Sequence, residues 1–125
     1  MARKLICALA VIYMLTGCYY DSAEEIYGTG VCNTTNVTYS NSIGEVINRN
    51  ACLGCHTGVA PAGSFKLENY NDVKAKALEL RNGTSVLLGA LQHLPNFVAM
   101  PQGLSQISQC DINKIKAWID AGTPQ

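Results

Sequence analysis

A chain of 125 residues has room for one domain and one core. With 48% apolar and only 14% charged residues it is neither a disordered chain nor a nucleic-acid binder with a basic face, and 9 basic against 9 acidic side chains exclude steering by a large net charge. Six cysteines in so short a chain demand a redox explanation, and no apolar run reaches the roughly 18–20 residues that span a bilayer.

Arg3 and Lys4 precede an apolar run from Leu5 to Leu15, the length of a signal-peptide core and too short for a membrane helix. The run ends in Leu15-Thr16-Gly17-Cys18, which looks like a bacterial lipobox. The small residues admit a peptidase close to the backbone, and the Cys18 thiol is the nucleophile that takes the lipid. Residues 1–17 are therefore expected to be a lipoprotein signal peptide, 18–38 a lipidated tether and extension, and 39–125 the folded domain. Tyr19 to Gly30, with Asp21, Glu24 and Glu25, reads as the polar part of that tether. Acyl chains on Cys18 would anchor the protein to a membrane of the bacterial cell envelope, with the polypeptide periplasmic or surface-facing. Tyr19 rather than Asp after the lipid cysteine favours the outer membrane.

Further along, Ser42 and Glu45 have the spacing of a capping box, and Ile43, Val46 and Ile47 give one apolar face. This short helix leads into Cys52-Leu53-Gly54-Cys55-His56, the c-type haem attachment sequence. Two thiols three positions apart can add to the two vinyl groups of one haem, and the following His can reach the iron. A bare CxxC could also be a redox dithiol or half a zinc site. No second Cys or His pair completes a zinc tetrahedron, and no βαβ pattern surrounds it. Thr57 to Ser64 is a Gly/Pro/Ala loop in which Pro61 either positions a carbonyl for the His56 N–H or simply stiffens the chain. Asn71 or Asp72 caps an expected helix with Val73, Ala77 and Leu80 on one face, ended by Asn82-Gly83. A Leu-rich helix follows from Ser85 to about His93, and a last one starts near Ser108 with Asp111 in its first turn. It carries Ile112, Ile115 and Ile119 inward with Trp118 beside them, and stops at Gly122.

Cysteine usage narrows by subtraction. Cys7 leaves with the signal peptide, Cys18 takes the lipid, and Cys52 and Cys55 take the haem. Cys32 and Cys110 remain, and in an oxidising compartment they most simply pair; free thiols or bridges between chains are the alternatives.

Terminal helices, a haem motif after the first and a Met-containing loop before the last resemble the class I cytochrome c fold, an all-α fold around one covalent haem, over about Tyr39 to Gly122. More narrowly, the chain is similar to small bacterial monohaem cytochrome c lipoproteins with an added cysteine pair and a C-D-I-x-K-I-x-x-W-I-x-x-G ending, which stands here from Cys110 to Gly122. In such proteins a Met within an M-P-x-G loop is the sixth iron ligand, and Met100-Pro101-Gln102-Gly103 matches it; Leu104 stands where the family often has a second Gly.

Counting donors leaves few choices. Met1 and Met14 are lost with the signal, so Met100 is the only Met of the expected mature chain, and His93 is the only His besides His56. The sixth position is Met100, His93 or open, and the resemblance favours Met100. The expected function is a membrane-anchored monohaem c-type cytochrome carrying single electrons between redox protein partners. No nucleophile, phosphate loop or carboxylate pair accompanies the motif, so enzymatic turnover is not expected. The rival readings are a haem-based ligand sensor or peroxidase-like enzyme with a labile sixth site, and a haem subunit of a larger oxidoreductase.

Overall fold

The computed structural model describes residues 32–125, of which 47% are helical and 4% lie in strands, so the fold class is helical with one small hairpin. Cys18, the expected signal peptide over residues 1–17 and the first part of the expected tether lie outside the described residues.

Among the described residues the first helical segment is capped by Thr38, earlier than the expected Ser42 cap. Thr38 is extended (φ −122°, ψ 167°), its hydroxyl accepts from the Asn41 N–H, and the Asn41 side chain accepts from the Thr38 N–H. This reciprocal pair is a capping box with Asn at its third position. By Ser42 the chain is already coiled, and the Ser42 N–H donates to the Thr38 carbonyl. A π-helical turn over Tyr39–Ile43 runs directly into α1, Gly44–Arg49, and Ile43, Val46 and Ile47 are buried as expected.

Helix α2, Tyr70–Leu78, starts from Asn69, whose side chain accepts from the Asn71 and Asp72 N–H groups; neither Asn71 nor Asp72 is the cap. Val73 and Ala77 face the core, whereas Leu80 is 66% exposed. The helix does not reach Asn82-Gly83. It stops at Glu79 (ψ 124°), and β1 (Leu80–Arg81) pairs antiparallel with β2 (Thr84–Ser85). Asn82 and Gly83, at φ 53° and 78°, form the tight turn between them. Asn-Gly is the preferred pair for two left-handed positions in succession, and the hairpin therefore wins over a longer helix.

Ser85 then caps α3, Val86–Leu91, and Ser108 caps α4, Gln109–Asp120, by accepting from the Asp111 N–H. On α4, Ile112, Ile115 and Trp118 are buried and Ile119 is partly so. The tail after α4 folds back: Trp118 Nε1 donates to Pro124 O (2.7 Å), Tyr70 Oη to Thr123 O (2.8 Å), and the Tyr39 N–H to Pro124 O (3.0 Å). Trp118 thus serves the core where α4, α2 and the Tyr39 turn meet.

Cys32 and Cys110, the pair left by subtraction, stand in disulfide geometry with Cα atoms 5.5 Å apart. The bridge ties the segment before α1 to the first turn of α4. Val37 of that segment is 5% exposed and belongs to the core.

Candidate functional site

Ala51, in left-handed conformation (φ 54°), breaks the chain away from α1, and Cys52–Gly54 form a 3-10 turn. The N–H groups of Cys55 and His56 both point back to the Cys52 carbonyl, at 3.3 and 3.0 Å. This tight coil gathers both thiols and the imidazole on the wall of one cavity of about 570 Å³. Met100 lines the same cavity from the other chain segment, and His93 does not.

His56 is 6% exposed and held from two directions. Its ring stacks on Phe65, centroids 4.3 Å apart, and Nδ1 lies 3.4 Å from the Phe65 carbonyl. A proton on Nδ1 makes that bond and leaves Nε2 as the lone-pair donor. Phe65 supplies the carbonyl that the sequence offered to Pro61, whose own carbonyl accepts from Ser64. Behind the ring, the Leu67 N–H donates to His56 O at 2.9 Å. Glu68 Oε1 accepts from the Thr57 hydroxyl (2.6 Å) and the Gly58 N–H (2.7 Å), and Lys66 lies 3.3 Å from Oε2. The Thr57 and Gly58 hydrogen bonds, with Lys66, pull the Glu68 carboxyl down to about 2.

Burial pushes the Cys52 thiol up. Among the described residues no group of three or more His, Cys, Asp or Glu side chains comes together to hold a metal.

The cavity walls are mainly apolar: Val46 and Ile47 from α1, Leu87 and Leu91 from α3, Ile107 before α4 and Ile115 on it. Its charged lining comes from Lys76, Glu79 and Arg81, all near the α2–β1 corner. Val98 and Leu104, exposed by 59% and 69%, also line it. A large flat ligand with an apolar body and one acidic edge fits this lining. It would cover Val98 and Leu104, and its acidic edge would meet Arg81, while Lys76 is paired with Glu79 at 2.6 Å. Two thiols, an imidazole and a thioether complete the donor set for one haem c.

Phe65, Glu68, Lys76 and Arg81 escape sequence reasoning. None has a diagnostic spacing from the CxxCH motif, although Phe65 is one of only two Phe in the chain. No family model, no curated protein and no solved structure matches this chain.

Proposed function

We propose that the protein is a monohaem c-type cytochrome of class I-like fold, anchored through lipidated Cys18 to a bacterial envelope membrane, that carries single electrons between redox proteins. The observation that carries this reading is the convergence of Cys52, Cys55, His56 and Met100 on one apolar cavity. Cys52 and Cys55 would hold the haem by thioethers, His56 Nε2 and the Met100 thioether would bind its iron, and Arg81 would face its carboxylates while Lys76 pairs with Glu79. When bound, haem supplies a one-electron Fe(III)/Fe(II) couple. The Phe65 carbonyl and ring fix the imidazole plane, and the apolar walls exclude water. With His56 and Met100 as its ligands, the haem would have a higher potential than with two imidazoles.

Oxidised and reduced absorption spectra of the mature protein test this. A low-spin spectrum with a weak far-red sulfur-to-iron charge-transfer band is expected, lost in Met100→Ala along with a fall in potential and a gain of CO binding. A five-coordinate resting iron that binds cyanide or CO rapidly would support the sensor or peroxidase-like reading instead.

A further inference from the structure

The loop carrying Met100 folds back onto the C-terminal end of α3, and two hydrogen bonds fasten it there. The Met100 N–H donates to Ala90 O at 3.0 Å, and His93 Nε2 lies 3.0 Å from Met100 O. The His93 N–H also reaches Ala90 O, at 3.2 Å. Met100 is thus gripped on both sides of its own α-carbon, while Pro95, Asn96, Val98 and Ala99 between the two anchor points are exposed.

We infer that His93 is a positioning residue for Met100: its Nε2–H donates to the Met100 carbonyl and fixes the backbone from which the thioether reaches into the cavity. The inference rests on the reading of Met100 as an axial ligand. A carbonyl oxygen only accepts, so the contact requires the proton on Nε2. His93 does not line the cavity that Met100 lines, so it acts through Met100.

Backbone conformation supports a specific use of the imidazole. His93 follows the cap residue Gln92 with φ 53°, in the left-handed region where helices usually place Gly or Asn. Gly would sit there with less strain. Histidine at this position gives up conformational ease and gains a donor that reaches the loop seven residues on.

Ferric holoprotein of wild type, His93→Gly, His93→Ala and His93→Gln separates the two roles. The readouts are the cyanide association rate, the far-red band and hydrogen exchange of the Met100 N–H. Losing one hydrogen bond from the loop corresponds to a rise of about three- to ten-fold in cyanide rate and in Met100 exchange for the Gly and Ala variants, with a weaker band. Gln, whose amide can donate over a similar reach, should restore values close to wild type. Gly or Ala variants at the wild-type rate, with the band intact, would overturn the inference while leaving Met100 as ligand. So would a Gln variant as fast as the Gly one. A wild-type protein without the band would overturn both the ligand reading and the inference.

Discussion

Glu68 shows how a single exposed side chain can brace His56 without touching it. Its carboxylate closes the loop immediately after His56 by accepting from Thr57 and Gly58, beside the Leu67-to-His56 backbone bond. The folded-state value of about 2 lies below the ordinary 4.5. Glu68 therefore contributes its full share of stability above about pH 4.5 and loses it as the pH falls towards 2. Urea midpoints measured across that window should fall less steeply in Glu68→Gln than in wild type. Parallel curves would show that the clamp adds nothing. Phe65 acts more directly on His56, through a stacked ring and a backbone carbonyl that no side-chain substitution removes.

At the scale of elements, α1 and α4 are joined by a polar contact beside an apolar core. Asp111, 3% exposed, accepts from Arg49 Nε (3.2 Å), Arg49 Nη2 and Asn50 Nδ2 (3.1 Å). Burial pushes this carboxyl up, but the bonds from Arg49 and Asn50 outweigh it and hold it below its ordinary value. Asp111→Ala should cost about 1–3 kcal/mol at neutral pH by chemical denaturation, near the lower end because Arg49 is partly exposed. Its sign with pH matches that of Glu68: the deficit should shrink as acid protonates the wild-type carboxylate. Asn69→Ala removes the α2 cap and should cost about 1 kcal/mol in the same assay.

Helix faces were legible where apolar spacing was strong. Ile43, Val46 and Ile47, then Ile112 and Ile115, turn inward as their periods demand. Boundaries were less so, because several Asn, Ser and Thr residues near each start compete as caps, and local geometry selects Thr38 and Asn69. Leu80 fits a helical period, yet the Asn82-Gly83 turn chemistry claims it for a strand. The CxxCH motif and Met100 were visible as residue types at telling positions. Their support by Phe65, Glu68 and His93 depends on chain segments meeting in space, and spacing along the sequence carries no trace of that.

For the molecule as a whole, two fastenings close the chain on itself. The C-terminal tail joins α4 to the Tyr39 turn and α2 through Trp118, Tyr70 and Ser40. Cys32 and Cys110, 78 residues apart, bridge the other end of α4 to the segment before α1. Replacing both by Ser should cost about 2–5 kcal/mol, because the unfolded chain regains the freedom of a long loop. The measurement is the denaturation midpoint of oxidised wild type against the double variant, and equal midpoints would contradict a stabilising bridge. All these fastenings serve the cavity, since α1, α3 and α4 supply its walls. The most direct test of the central claim is the intact mass of the purified protein, matured in a host competent for cytochrome c assembly, after denaturation and acid-organic extraction. Wild type is expected to exceed the variant with both Cys52 and Cys55 replaced by Ala by the mass of one haem, beyond the mass of the two substitutions, with whatever lipid Cys18 carries common to both. Wild-type protein that emerges without that added mass would contradict haem attachment.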